Sequence, residues 1–397
     1  MLPIIPKKEF VERRRQIQKT MQDHGYDLLI AYSNDQFVFG QAHTRYFYDY
    51  EPQFEAACLF IPAKGDIVMI TGPESEFFVK AFTDIDKVYV TTDFLVPEEE
   101  YRFAEIYEIK TVLKKMQEEQ DLSFDKVGFL GVDSDLPYSM YKNISDALGV
   151  ELEDALHIIV PLREVKTEAE LEVIRYAYKI AEEGMKAALK AVKIGVTERE
   201  IAAEAEYVMR KMGVEGLGVP FMVASGPDHS RQVIARTTHR KIQDGDLVWI
   251  TIAPRYEGYH AAIARAFVVG DISKNPEAAD AIKHAQKALA ATESKLIDGG
   301  SAVLADNTAR KIMTEAELEE GFVYSAIHSV GVMEFEQPIV SSYSDFEFKA
   351  NSVYSIDIPV FLRDWGGFRI ENGYIIHKDR LEKMFDLPTD VSEYINP

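Results

Sequence analysis

Apolar residues along the chain follow two periods. In residues 9–25 they recur at the three-to-four spacing of an amphipathic helix, closing at Gly25. The same spacing returns in Leu171, Ile174, Tyr178, Ala181, Met185 and Leu189. Short strand-type runs lie between, at Asp27–Tyr32, Ala56–Ile61, Asp66–Thr71, Lys87–Thr92 and Lys126–Leu130. They alternate with helical stretches predicted at Tyr101–Gln120 and Tyr138–Leu148, an α/β pattern. The aromatic-dense stretch from Phe37 to Tyr50 reads as a loop that serves core or subunit interface, and it offers Arg45 as a carboxylate anchor. Two capping boxes, Thr167 with Glu170 and Thr197 with Glu200, predict the starts of successive helices, the second ending at Gly213. The pattern changes near residue 160, which gives two domains, 1–160 and 161–397.

Composition narrows the function classes. The chain has 397 residues, 47% of them hydrophobic and 11% aromatic, enough for a large core. A net charge of -22 argues against a nucleic-acid partner, whose phosphates call for basic patches. Most of the surplus acid lies in runs such as 98–100 and 315–320, which read as solvated helix faces. The one cysteine, Cys58, sits in an apolar run and reads as core, so neither an internal disulfide nor a multi-cysteine metal site is expected. No apolar stretch reaches membrane-spanning length and the first residues do not read as a signal peptide; no membrane partner and a cytoplasmic location are expected.

Residues 245–267 read as a hairpin, with Gly-Asp-Leu-Val, then Tyr-Glu-Gly-Tyr-His, then Arg-Ala-Phe-Val-Val-Gly closing it at Gly270. Ser225-Gly226-Pro227, the run from His328 to Pro338, Val353 to Pro359 and Phe368 to Asn372 complete the frame. Together these motifs resemble the pita-bread family of prolidases, aminopeptidase P, methionine aminopeptidase and creatinase. The resemblance covers essentially the whole chain. It implies an α/β (α+β) two-domain protein: a creatinase/prolidase-like N-terminal domain, then a pita-bread domain that dimerises.

The resemblance also fixes what is missing. Where metal-dependent members carry two aspartates, this chain has Thr251 and Ala262; the family's second histidine is Phe335. His328 matches the metal-binding histidine, Asp357 stands at a glutamate ligand position, and Glu371 matches the bridging glutamate. Creatinase's catalytic histidine falls at Val233 or Ile234, and its hairpin glutamate at Ala264, so creatine is a poor substrate candidate. With two of four compensating carboxylates gone, two divalent cations are not expected. Period-two alternation lets Thr251, His328, Asp357 and Glu371 face one cavity.

Three functions follow. The leading one is a creatinase-like, metal-independent hydrolase of a C–N bond in a small carboxylate-bearing metabolite, with no cofactor. His328 and His229 act as acid and base, and Asp357 and Glu371 orient water or a cationic group. Arg231 or Arg236 anchors an anion, and Thr251, His260, Glu336 and Arg45 contact substrate. The first alternative is a divergent Xaa-Pro dipeptidase or aminopeptidase acting on dipeptide-like substrates, with one divalent ion on His328, Asp357 and Glu371. The second is a non-catalytic ligand- or protein-binding pita-bread protein.

Overall fold

The computed structural model describes residues 2–131 and 136–395. The chain separates into two compact units, one of Pro6–Arg163 and one of Glu164–Pro397 joined by the first five residues.

The N-terminal unit is built on a seven-stranded sheet. Its strands are β1 (Leu28–Ser33), β2 (Ala57–Pro62), β3 (Val68–Thr71), β4 (Lys87–Thr91), β5 (Ile106–Tyr107), β6 (Val127–Leu130) and β7 (Leu152–Asp154). They lie in the order β5-β4-β3-β2-β1-β6-β7, antiparallel only where β2 pairs with β1 and β3. The helices are α1 (Lys7–His24), α2 (Ala42–Tyr48), α3 (Glu76–Phe82), α4 (Ile109–Gln120), α5 (Tyr138–Leu148) and α6 (Leu156–Glu164). The left-handed Gly25 closes α1 by donating to the carbonyls of its last turn. Two expectations change. The helix predicted over Tyr101–Gln120 is formed only from Ile109, because residues 106–107 pair with β4. The aromatic loop folds into α2, whose Tyr46, Phe47 and Tyr48 are buried. Cys58 is buried in β2, where burial pushes its thiol up, so it is core.

The C-terminal unit opens with α7 (Glu168–Ala191) and α8 (Glu198–Lys211), and both capping boxes form. Strands β8 (Gly216–Leu217) and β9 (Met222–Ser225) lead to the short α9 (Gly226–Ser230). The predicted hairpin consists of β10 (Leu247–Ile252) and β13 (Ile263–Val268), with the small strands β11 (Pro254–Tyr256) and β12 (Tyr259–His260) between them. After α10 (Pro276–Glu293) and α11 (Ala302–Glu315) come β14 (Ile327–Ser329), β15 (Glu336–Val340), β16 (Ser352–Arg363), β17 (Gly366–Ile376) and β18 (Leu381–Lys383). The large sheet runs β15-β14-β16-β17-β13-β10-β9, with β18 on β17. Alternation along β16 and β17 sends Ile356, Ile358 and Ile370 into the apolar core with α10 and α11. Ser355, Asp357, Arg369 and Glu371 face the other way.

Candidate metal centre

Register brings the candidate residues into rows. Thr251 lies opposite Ala264, Ala264 opposite Glu371, and Glu371 opposite Asp357, so one row crosses four strands on one face. His328 lies opposite Ser355 on the neighbouring strand. All of these residues are buried.

Within the row, the polar groups sort into two clusters. In the first, the Ser355 hydroxyl donates to Glu371 Oε1 at 2.6 Å, and His328 Nε2 lies 3.5 Å from the same oxygen. His328 Nδ1 meets the Ser329 carbonyl at 3.1 Å, and its ring packs against Phe335 with centroids 4.9 Å apart. Glu334 completes this cluster: one donor atom each from His328, Glu334 and Glu371 lie within 4.8 Å of one another. In the second, Tyr324 donates to Asp357 Oδ2 at 2.7 Å, and Arg369 lies 3.5 Å from that oxygen. Arg369 also donates to the Val233 carbonyl at 2.8 Å. Its guanidinium sits over the rings of Trp249, Tyr324 and Phe361.

Protonation reports a site short of positive charge. Burial raises the Glu334 carboxyl, and the Glu371 charge adds to it against the pull of His328. Burial likewise raises Asp357, with Arg369 opposing. For His328, burial acts to lower the imidazole, but the Glu371 hydrogen bond and the Glu334 charge outweigh it and lift it to about 9. Carboxyls that resist ionisation beside an imidazole that holds its proton are the signature of anionic groups crowded without a full counter-charge. A cation held there would supply such a charge.

The donor set fits one ion and not two. An imidazole and two carboxylates are a normal three-ligand catalytic set, and a 3.5 Å donor separation suits bonds of about 2.1 Å. A second ion would need donors at Thr251 and Ala262. The former offers one hydroxyl and the latter nothing, so the dinuclear arrangement does not fit. Tyr324 and Arg369 hold Asp357 Oδ2, and the three donors that lie within 4.8 Å of one another include Glu334 rather than the expected Asp357. Only its position next to Phe335, where the frame loses its second histidine, pointed toward Glu334.

The other predicted residues separate from this cluster. His229 gives Nδ1 to Glu198 at 2.9 Å. Fully buried Glu198 also accepts from Ser225 Oγ at 2.6 Å and from Thr238 N and Oγ1 at 2.9 and 2.6 Å. Burial opposes ionisation of Glu198, but these bonds together hold its carboxyl below its usual value. Its role as the clamp of the 225–238 loop was legible only as a capping-box letter. Arg231 reaches the exposed Asp364 at 3.8 Å, and Arg236 is exposed. Arg45 pairs with Asp49 at 3.3 Å inside the N-terminal unit. Glu336, expected to contact substrate, is buried and paired with Lys166 at 2.8 Å. His260 lies on β12, outside the β13 face on which it was expected, with Nδ1 3.2 Å from the Gly331 carbonyl. A methyl group on Gly218 would touch both His260 and Glu334, so the imidazole borders the cluster. Thr251 Oγ1, Asp357 Oδ1 and Arg369 Nε are buried without hydrogen-bond partners.

Comparison with known proteins agrees with the frame. Residues 172–378, more than half of the chain, match Metallopeptidase family M24, and residues 13–165 match the Creatinase/Prolidase N-terminal domain. The chain belongs to metallopeptidase family M24. The Xaa-Pro dipeptidase of Pyrococcus furiosus is 29% identical over 80% of this chain and 93% of its own length. That of Pyrococcus horikoshii is 29% identical over 81% and 87%. Among solved structures, the prolidase from Thermococcus sibiricus has a TM-score of 0.82 at 21% identity, covering 96% of this chain and 98% of that one. The prolidase from Pyrococcus horikoshii OT3 has a TM-score of 0.78 at 24% identity, covering 96% and 99%. These confirm the two-domain pita-bread fold. They also favour the dipeptidase alternative over the metal-independent, creatinase-like reading, and the M24 relationship gives no support to a site without a cofactor. Among the described residues, no helix is long and apolar enough to cross a membrane.

Proposed function

We propose that the chain hydrolyses the C–N bond of Xaa-Pro-type dipeptides, using one divalent cation held by His328, Glu334 and Glu371. The observation that carries this reading is the convergence of these three buried donors within 4.8 Å on an M24 frame. The named activity of relatives that match more than four-fifths of their own length supports the substrate class. When bound, such an ion polarises a carbonyl and makes water acidic enough to attack at neutral pH.

The chain's own groups do the rest. Ser355 orients Glu371 by donating to Oε1, the same oxygen that lies 3.5 Å from His328 Nε2. A carboxylate at Glu334 or Glu371 takes the proton that the attacking water releases and delivers it to the leaving nitrogen. Phe335 packs on the His328 ring and limits its tilt. Arg369 neutralises Asp357, so that this carboxylate does not add a further negative charge.

The test is elemental analysis of protein purified without chelator, paired with hydrolysis of Ala-Pro and Leu-Pro. About one Mn, Zn, Fe or Co per chain, with turnover lost on chelation and regained on reloading, is expected. Turnover that persists in metal-free protein would return the metal-independent hydrolase to first place. Bound metal without turnover on any dipeptide would favour the binding protein.

A further inference from the structure

Tyr178, on α7, is among the largest fully buried side chains; the Ala262 backbone approaches its oxygen, and its hydroxyl proton has no acceptor. A buried hydroxyl left unpaired costs about 1–3 kcal/mol, so a native core retains one only with a reason. Other tyrosines of this unit find acceptors: Tyr259 donates to Glu170 at 2.6 Å and Tyr324 to Asp357 at 2.7 Å. Tyr354 also lacks a partner, but it points to the opposite face of β16, against Phe348. Tyr178 is on the face of the metal centre.

Two contacts fix that position. A methyl group on Gly373 would overlap the phenol Cζ and oxygen, so the missing side chain at 373 is what admits the hydroxyl. Gly373 lies two residues beyond Glu371 on β17, hence on the same face and about 7 Å along the strand. It also lies opposite Ser355, the residue that orients Glu371. The ring is held from behind by Phe385, stacked at 5.9 Å and 12°. A rigid phenol is thus held over Gly373 on the Glu371 face of the sheet, next to the Ala262 backbone, on the side where the family's aspartate positions are Thr251 and Ala262. A phenol is protonated at neutral pH and can therefore donate.

We infer that the Tyr178 hydroxyl is a catalytic residue that donates a hydrogen bond to the carbonyl oxygen of the scissile bond, taking over charge stabilisation on the side of the site that no longer holds a cation. The inference rests on the peptidase reading for its substrate class. The water oxygen bonds to the carbonyl carbon, and the carbonyl π pair moves onto the oxygen that Tyr178 faces. When that pair returns, the C–N bond breaks with its electrons on nitrogen. The nitrogen takes the proton that water gave to Glu334 or Glu371, releasing a free acid and an amine. A fixed donor aimed at the developing oxyanion contributes about 10²–10³-fold in rate.

The experiment is Tyr178→Phe, compared with wild type in three measurements: metal per chain, steady-state hydrolysis of Leu-Pro, and calorimetric affinity for a phosphinic Leu-Pro analogue, whose tetrahedral anion mimics the intermediate. Unchanged metal content, a kcat lowered about 100-fold with KM within threefold, and phosphinate affinity lowered by a similar factor are expected. Retention of both kcat and phosphinate affinity within twofold would overturn the assignment. A wild type that hydrolyses no dipeptide, yet binds the phosphinate in a Tyr178-dependent way, removes the peptidase reading and leaves Tyr178 as the oxyanion donor. A wild type that neither turns over nor binds the phosphinate removes both.

Discussion

The two halves of the large sheet have kept very different shares of one site. On β14, β16 and β17, with the Gly331–Phe335 segment beside them, stand an imidazole and three buried carboxylates: His328, Asp357, Glu371 and Glu334. On β10 and β13, the same row continues as Thr251 and Ala264, with Ala262 just before β13. The β10–β13 ladder is continuous while β14–β15 shifts register between His328 and Ser329, so the depleted half has lost charge and not strand pairing. A sheet can lose two carboxylates without losing its register, because register is set by ladder bonds and apolar alternation. A di-cation site cannot, because each ion needs close anionic donors. The fold of the M24 family is therefore compatible with Thr251 and Ala262 at these two positions.

The largest expected effect lies on the half that kept its donors. His328→Ala or Glu371→Gln should lower kcat/KM on Leu-Pro by roughly 10³-fold or more and abolish metal retention, measured by kinetics and elemental analysis. If Thr251→Ala had the larger effect, the comparison would be reversed. Next comes the frame under that half. Glu336 and Lys166 form a buried pair in which both side chains are almost fully covered, so Glu336→Ala leaves an uncompensated charge. A loss of about 3–5 kcal/mol in urea unfolding is expected, with Glu336→Gln less severe.

A third prediction uses pH. Burial, with the Arg255 charge beside it, holds the His260 imidazole down at about 3 against the Gly331 carbonyl. An unfolded histidine titrates near 6.5. Between these values the unfolded chain binds a proton that the native protein refuses, so stability falls as pH drops through that window. The His260 contribution at pH 5 should be about 2 kcal/mol lower than at pH 7.5. His260→Gln should flatten that part of the profile in urea titrations. His43 in the N-terminal unit, kept neutral by burial beside Arg163, contributes with the same sign and remains in the variant.

A gain of function would sharpen the contrast between the halves most directly. Thr251→Asp combined with Ala262→Asp returns carboxylates to the depleted half, and metal content should rise from about one to about two ions per chain. No rise would mean that Arg369 and Tyr324, by holding Asp357, have closed the second position on their own. The smallest effect is expected at His229. Its Nδ1 bond to Glu198 stabilises the 225–238 loop, so His229→Ala should cost about 1 kcal/mol while leaving kcat within a few-fold.

Much of this was legible in the linear chain. Helical spacing and two capping boxes located α7 and α8, because a Thr-x-x-Glu box satisfies its own backbone locally. Period-two runs located β10, β13, β16 and β17 and the faces of Thr251, Asp357 and Glu371, because alternation is a property of the strand itself. That positions 251 and 262 carry threonine and alanine was equally plain. Helix α2 was not, since a short aromatic stretch carries no clear period and its burial decides its conformation.

The sequence by itself determined the architecture and the motifs that carry Thr251, Ala262, His328 and Glu371, since each is encoded by residues close together in the chain. Only the tertiary structure decided how the polar groups divide. Glu334 joins the cluster through the turn after β14, Asp357 leaves it for Tyr324 and Arg369, and Glu336 is committed to Lys166, 170 positions away. Tyr178 reaches the same face only because residue 373 is a glycine. These choices depend on distances of a few ångströms between segments far apart in sequence, over which the strength of a charge or hydrogen bond is settled.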